Sequence, residues 1–226
     1  MKHLFLTSSI GTPGVAESIR VKLGHTRPLK IAFITTPIEV EDMSDDSWYQ
    51  DDRSALTKSG FDFFDYTITG KSSANFTKDL SGIEAIYVSG GNTNHLLQES
   101  QKSNFIPFIR DFVNSGKLYL GTSAGSIIAG PELPPYLWGD EVGAPNLKDY
   151  ASYNLVNFTL IPHWGSDIFK DMYLGGRMSQ IYTESFPPFV LCNDHQYVEV
   201  QDNRYHIIDV RNQEWNDYFS PPKSST

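Results

Sequence analysis

The chain of 226 residues predicts an α/β fold, a three-layer sandwich in which helices cover both faces of a mainly parallel sheet. Short apolar runs typical of buried strands alternate with segments whose apolar residues recur at helical spacing, over roughly the first 130 residues. The composition, 39% hydrophobic and 20% charged, is ordinary for a globular chain with one substantial core. We therefore expect a single domain over residues 1–226, with a disordered tail, SPPKSST, at 220–226.

The predicted elements follow one another without a linker or an internal repeat. Up to residue 120 we predict strands at 3–7, 30–35, 61–68, 84–89 and 117–120. Over the same part we predict helices at 14–23, 47–59, 94–100 and 105–113. Prolines make residues 131–150 irregular, which predicts a loop or lid. Beyond it we predict a strand at 153–161, a helix at 167–184 broken near Gly175 and Gly176, a strand at 189–192 and a hairpin of 197–200 and 205–210.

Charge and cysteine usage limit the partners and the compartment. A net charge of −9 and a pI near 5.0 argue against nucleic acid or an anionic membrane as the partner. No apolar stretch approaches the length of a membrane span or of a signal-peptide core. Cys192 is the only cysteine, so an intramolecular disulfide is excluded and a cytoplasmic location is expected. Residues 39–52 carry seven carboxylates and no lysine or arginine, which predicts a solvated loop. The alternative is that they surround the entrance of a site that prefers cationic or neutral ligands.

Residues 117–130, KLYLGTSAGSIIAG, place a serine where a catalytic nucleophile is often found. The residues before Ser123 predict a buried strand, and those after it predict the start of a helix. Gly121 and Gly125 flank the serine where a side chain would clash as the strand reverses into the helix. This is the G-x-S-x-G nucleophile elbow, although the same short pattern also arises by chance.

A nucleophilic serine needs a base and an acid that orients the base. His163 follows a predicted strand, so we expect it at the sheet edge where the elbow opens, whereas His95 is expected on a helix surface. Asp194 follows the next predicted strand, and its competitors are Asp140 and Glu141 in the proline-rich loop. Chain order separates these choices, because α/β-hydrolases run Ser, acid, His, whereas Asp194 gives Ser, His, acid.

A second glycine pair could supply an oxyanion hole. Gly90 and Gly91 lie where a strand turns into a helix, and a backbone N–H there could act with the N–H of Ala124, the residue after the serine. The stretch matches no phosphate-binding loop. A tight turn with Asn92 as the helix cap is compatible with this interpretation.

A metal site is not expected. Four potential ligands cluster near the end of the chain, but their spacing matches no ligand pattern: Cys192, Asp194, His195 and His206. We interpret the two histidines as residues on strand faces.

Three motifs in order, SGGNTNHLL, LGTSAGSIIAG and IPHW, resemble the peptidase E group of serine peptidases, the α-aspartyl dipeptidases, with cyanophycinase as a more distant relative. The resemblance covers residues 1–210 and implies a class I glutamine amidotransferase-like sandwich. It implies a catalytic serine with no metal and no cofactor. The implied site residues are the nucleophile Ser123, the base His163, and the backbone of Gly91 and Ala124 as oxyanion hole.

The resemblance is weaker for the acid and for the substrate. Where the family usually has a glutamate in a P-E-G-x-like turn, this chain has Asn193-Asp194-His195, so we choose Asp194 as the third catalytic residue. The family binds the substrate's N-terminal aspartate with an arginine in a G-E-T-R-like stretch, and Arg177 is the nearest counterpart. We predict Arg177, together with Asn92, as the substrate-binding residues.

The leading hypothesis is a serine exopeptidase or dipeptidase, a monomer or homodimer, that acts on short peptides, with N-terminal aspartate as a candidate feature. One alternative is an esterase or amidase that uses the same triad. The other alternative is a binding or regulatory protein with the same fold, which keeps the nucleophile elbow but does not catalyse a reaction.

Overall fold

The computed structural model describes residues 1–24, 26–139, 142–181 and 186–211, and within them a seven-stranded sheet forms the centre of the fold. Its strands are β1 (His3–Thr7), β2 (Leu29–Ile34), β3 (Phe61–Tyr66), β4 (Ala85–Val88), β5 (Leu118–Thr122), β8 (Gln196–Gln201) and β9 (Arg204–Asp209). They lie in the order β3-β2-β4-β5-β1-β8-β9. The first five of these are parallel, and the hairpin β8-β9 adds to β1 in antiparallel fashion.

Helices cover both faces of this sheet, because side chains alternate between the two faces along each strand. Phe5 faces the layer of α1 (Val15–Leu23) and α2 (Ser47–Lys58). Its neighbours Leu4 and Leu6 face the opposite layer. That layer contains α3 (Ser73–Asp79), α4 (Thr93–Lys102) and α5 (Phe105–Asn114). The predicted three-layer α/β fold is therefore confirmed.

Helix α3 is an element that the sequence analysis did not predict. Its start is fixed by a capping box, in which the backbone N–H of Ser72 donates to Asn75 Oδ1 over 2.9 Å. Phe76 anchors the helix in the core, where its ring contacts the aromatic rings of Phe105 and Phe108. A short helix with one buried aromatic residue gives little periodicity to detect.

The predicted strand at 153–161 is wrong for most of its length, since only β6 (Thr159–Ile161) is a strand. The N–H of Tyr153 donates to Ile128 O over 3.0 Å, and the N–H of Leu155 donates to Ala129 O over 2.8 Å. Asn154 between them has a φ of 50°. The backbone N–H groups of this apolar run donate to carbonyl groups of the segment that follows the elbow, so the run can be buried without joining a sheet.

A second, two-stranded parallel sheet joins β6 to β7 (Phe189–Leu191), with Ile161 opposite Leu191. The segments that follow the two strands therefore leave the same edge of this small sheet. Between the strands, the predicted helix is divided into α7 (Lys170–Met172), a π-helical turn (Tyr173–Arg177) and α8 (Met178–Ile181). Gly176, at φ 170° and ψ −36°, interrupts the helix where the break was predicted.

Among the described residues, no helix has both the length and the apolar composition that crossing a lipid bilayer requires. Several predicted features lie outside the described residues: the tail at 220–226, the end of the helix at 182–184, and the competing acids Asp140 and Glu141.

Candidate active site

Ser123 lies on a strained turn between β5 and α6 (Ala124–Ile127), with φ 47° and ψ −109°. The flanking glycines are required by close approach of the backbone. A Cβ on Gly121 would lie 2.5 Å from Gly125 O, and one on Gly125 would lie 2.2 Å from Val88 O. The turn is tied to the neighbouring strand, because the N–H of Ser123 donates to Thr7 O over 3.1 Å. The predicted strand, turn and helix are all present.

Ser123, His163 and Asp194 form a continuous line of side chains. His163 Nε2 lies 3.1 Å from Ser123 Oγ, and His163 Nδ1 lies 2.7 Å from Asp194 Oδ1. An ionised carboxylate only accepts hydrogen bonds, so Nδ1 donates to it and Nε2 is left as an acceptor facing the serine. The structure thus brings together the three residues predicted from the sequence, in the chain order Ser, His, acid.

The small sheet positions both His163 and Asp194. His163 follows β6 by two residues, and the N–H of Trp164 donates to Cys192 O over 3.0 Å, which ties the two segments together. Burial by itself would raise the pKa of Asp194, but hydrogen bonds from His163 and Ser8 outweigh it, and the pKa lies below its usual value. Asp194 is therefore held as a carboxylate beside the imidazole.

Ser8 is a residue of this cluster that the sequence analysis missed. It directly follows β1, is fully buried, and its Oγ lies 2.7 Å from Asp194 Oδ1. The signal was its place at the carboxyl end of a parallel strand. That signal could not be used without knowing that β1 lies beside β5, the strand that ends one residue before Ser123.

Phe169 is a second missed neighbour of the histidine. Its ring stacks on the His163 imidazole with a centroid separation of 4.4 Å and an interplanar angle of 10°. His163 itself has a φ of 58°, a conformation that is uncommon outside glycine. The stacked ring and the hydrogen bonds together define one orientation of the imidazole.

The predicted oxyanion region lies at the end of β4. Gly91 has a φ of 120°, and a Cβ there would lie 2.5 Å from Pro37 O, so the position requires glycine. The Asn92 side chain caps α4, since Asn92 Oδ1 accepts from the N–H of His95 over 2.8 Å. Gly91, Asn92 and Ser123 all line one cavity.

That cavity has a volume of about 530 Å³, within the range of small-molecule sites. Its walls combine α2 with the loop after α6 and the helical segment after β6. Its lining includes the side chains of Asp52, Tyr136, Phe169, Tyr173 and Arg177.

Arg177 lies in the cavity wall against two aromatic rings. Its guanidinium carbon is 4.7 Å from the centroid of the Tyr136 ring and 5.6 Å from that of Tyr173. Within the described ranges it forms no ion pair with a carboxylate. The cavity therefore presents an oriented positive charge that a ligand carboxylate would complement.

Asp52 is a buried acid in the lining of the same cavity. The sequence places it in the predicted helix at 47–59 and in the acidic run that predicts a solvated loop. Its side chain accepts hydrogen bonds from the hydroxyl of Tyr87 and the N–H of Gly11, each over 2.8 Å. Burial raises its pKa to about 6, although these two bonds and the positive charge of a protonated His163 act in the other direction. The residue is 3% exposed, so the solvated-loop prediction is wrong at this position.

His95 is buried too, which corrects the expectation of a surface histidine. Its Nε2 lies 3.0 Å from Glu39 Oε2, and its Nδ1 lies 2.8 Å from Gly143 O. These contacts connect the acidic stretch with the proline-rich loop. The buried His95 side chain thus holds these two segments together beside the cavity.

The four potential metal ligands do not converge within the described part of the chain, where no group of three or more His, Cys, Asp or Glu side chains is placed to hold an ion. Cys192 is buried, and burial raises the pKa of its thiol to about 12. Asp194 is bonded to His163 and Ser8. His206 lies on β9, as expected for a residue on a strand face, whereas His195 lies in the turn before β8.

The model of peptidase family S51 matches residues 4–208. The chain is 36% identical over 204 residues to an uncharacterized peptidase of Pasteurella multocida (strain Pm70), covering 89% of this chain and 95% of that protein. It is 36% identical over 89 residues to peptidase E of Shewanella sp. (strain ANA-3), covering 39% and 35%.

The fold also matches the 1.5 Å crystal structure of a candidate peptidase E protein from Listeria monocytogenes EGD-e, with a TM-score of 0.80 and 27% identity over 92% of this chain and 98% of that one. These similarities support a serine peptidase of the peptidase E type. The chain belongs to peptidase family S51.

Proposed function

We propose that this protein is a serine exopeptidase that hydrolyses short peptides, dipeptides with an N-terminal aspartate in particular, through Ser123, His163 and Asp194. The observation that carries the proposal is the line of contacts from Ser123 Oγ to His163 Nε2, 3.1 Å, and from His163 Nδ1 to Asp194 Oδ1, 2.7 Å. A serine, a base and an orienting acid in hydrogen-bond reach are what acyl transfer to a serine requires.

In the proposed reaction, Ser123 Oγ attacks the peptide carbonyl while His163 Nε2 takes the hydroxyl proton. Asp194 stabilises the imidazolium and keeps Nδ1 protonated. The backbone N–H groups of Gly91 and Ala124 stabilise the oxyanion of the tetrahedral intermediate. His163 then gives its proton to the leaving amine, and water, activated by the same histidine, hydrolyses the acyl-enzyme.

The substrate class follows from Arg177 and from the size of the cavity. A guanidinium fixed against Tyr136 and Tyr173 pairs well with a carboxylate, and an N-terminal aspartate would place its side chain there. A cavity of about 530 Å³ suits a dipeptide better than a long chain. We therefore assign Arg177 to the aspartate side chain, with Asn92 at the rim of the same site.

The test compares hydrolysis of Asp-Leu with that of Asn-Leu, Leu-Leu and p-nitrophenyl acetate. We expect Asp-Leu to be cleaved fastest by kcat/KM, and Arg177→Met to lower that value by roughly two orders of magnitude because the paired charge is lost. Arg211→Met, which removes an exposed guanidinium beyond β9, is the matched control and should change little.

Each alternative function predicts a different outcome. Hydrolysis of the ester without hydrolysis of any dipeptide would support the esterase. Binding of Asp-Leu by calorimetry without turnover, unchanged by Ser123→Ala, would support the binding protein. Equal cleavage of Asp-Leu and Asn-Leu would contradict the role of Arg177 without contradicting the role of Ser123.

A further inference from the structure

We propose that Ser8 is a positioning residue, whose single hydroxyl fixes the His163 main chain and the Asp194 carboxylate relative to the strand beside the elbow. The inference rests on the proposed function of Ser123, His163 and Asp194. It concerns how the base and the acid are held, because they come from the small sheet whereas the nucleophile comes from the main one.

The hydrogen bonds of Ser8 have only one possible direction. The backbone N–H of His163 donates to Ser8 Oγ over 2.6 Å, and Ser8 Oγ donates to Asp194 Oδ1 over 2.7 Å. A backbone N–H cannot accept and a carboxylate cannot donate, so the hydroxyl must accept from the first and donate to the second. The contact from Ser8 Oγ to His163 Nδ1 is longer, 3.4 Å. Nδ1 is instead directed at Asp194.

The position of Ser8 in the main sheet is fixed by the register of two strands. Strand β1 runs parallel to β5, with Thr7 opposite Thr122, so Ser8 and Ser123 leave adjacent strands at the same level. The N–H of Ser123 and the hydroxyl of Ser126 both donate to Thr7 O, over 3.1 and 2.8 Å. Ser8 therefore connects the base and the acid to the strand that also holds the nucleophile.

The same hydroxyl affects the charge of the acid. Asp194 Oδ1 accepts both the Ser8 hydroxyl and His163 Nδ1, each over 2.7 Å. An aspartate side chain is short, and a second donor on the same oxygen limits its rotation toward solvent. Both bonds favour the ionised form, which agrees with an Asp194 pKa below its usual value in spite of burial.

The experiment measures Ser8→Ala by kinetics, by reaction with a fluorophosphonate and by NMR. We expect kcat for Asp-Leu and the rate of Ser123 labelling to fall by about 10- to 100-fold, with KM within about twofold, because the imidazole is displaced while Arg177 and the aromatic rings beside it are unchanged. Titration of the ¹³C-labelled Asp194 carboxyl, assigned with Asp194→Asn, should show a higher pKa in Ser8→Ala than in the parent protein. A purely structural role would not change that titration.

Two further comparisons separate the Ser8 hydroxyl from other buried hydroxyls and from the volume of the side chain. Ser100, near the end of α4, has another fully buried hydroxyl, which bonds to Leu96 O and to the Tyr153 hydroxyl. Ser100→Ala removes it and should leave kcat and the Asp194 titration unchanged. If Ser8→Ala does not fold, Ser8→Thr is compared with Ser8→Val, because the threonine and valine side chains have the same shape and differ in the hydroxyl. The threonine variant should then have the higher kcat.

The outcomes separate this inference from the proposed function. An active parent protein, with Ser8→Ala unchanged in kcat, labelling and Asp194 titration, would overturn the role of Ser8 alone. An inactive, unlabelled parent protein would overturn the proposed function, and the Asp194 titration would still decide whether Ser8 holds the acid.

Discussion

Replacing Asp52 by asparagine should remove a pH-dependent loss of stability that originates inside the candidate site. The carboxyl group is 3% exposed and lies between Tyr87 and Gly11, and its pKa is raised from 3.8 to about 6, mainly by burial. Asparagine has the same shape, keeps an oxygen for the N–H of Gly11 and carries no charge at any pH. It can still share a hydrogen bond with the Tyr87 hydroxyl.

The magnitude follows from linkage between protonation and folding. Between pH 3.8 and about 6 the folded protein keeps the Asp52 proton that the unfolded chain has already lost, so the free energy of unfolding falls as pH rises through that window. Each factor of ten in an acid dissociation constant corresponds to about 1.4 kcal/mol, so the full loss above pH 6 is about 3 kcal/mol. Below pH 3.8 this contribution vanishes.

Urea denaturation of the parent protein and Asp52→Asn at a series of pH values measures this difference. The advantage of Asp52→Asn should grow between pH 4 and pH 6.5 by about 3 kcal/mol and then stay constant. Tyr87→Phe removes a donor to the ionised form, so its stability should fall more steeply with pH than that of the parent. Asp62→Asn, at an exposed aspartate on β3, controls for the loss of one charge. An advantage of Asp52→Asn that does not vary with pH would refute the reasoning.

Two further predictions concern the triad and the elbow. Asp194→Asn keeps the size of the acid but not its charge, so kcat for Asp-Leu should fall by about 10³- to 10⁴-fold, and a loss below tenfold would contradict the orienting role. Gly125→Ala places a Cβ 2.2 Å from Val88 O and should lower the free energy of unfolding, measured in urea, by about 3 kcal/mol or more. The control is Gly175→Ala, whose new Cβ has no heavy atom within 4 Å and which should change that free energy by less than about 0.5 kcal/mol. Equal stabilities of the two alanine variants would contradict the packing argument.

Local pattern was enough to predict the first five strands and the elbow, because buried parallel strands are short apolar runs and the reversal at Ser123 needs small residues on both sides. His163 and Asp194 could be selected because both follow such runs. The run at 153–158 gave the same signal for another reason, since its backbone bonds to the segment after α6. Apolar composition alone does not distinguish these two ways of burying a chain.

Ser8 and Asp52 show what local pattern does not contain. Ser8 becomes part of the site only because β1 is inserted between β5 and β8, an order that depends on the topology of the whole sheet. For Asp52 a signal existed, because Tyr49, Asp52 and Leu56 recur at helical spacing and all three are buried. The helix at 47–59 was predicted, but Asp52 was assigned to the solvated acidic run and not to the buried face of that helix.

Labelling of Ser123 by a fluorophosphonate, with the modified residue identified by peptide mass spectrometry, tests the central claim most directly. The account predicts one adduct on Ser123, formed at least about 100-fold more slowly in a folded His163→Ala variant because the base is lost. Absence of an adduct on Ser123 in the folded parent protein, or labelling that does not depend on His163, would contradict it.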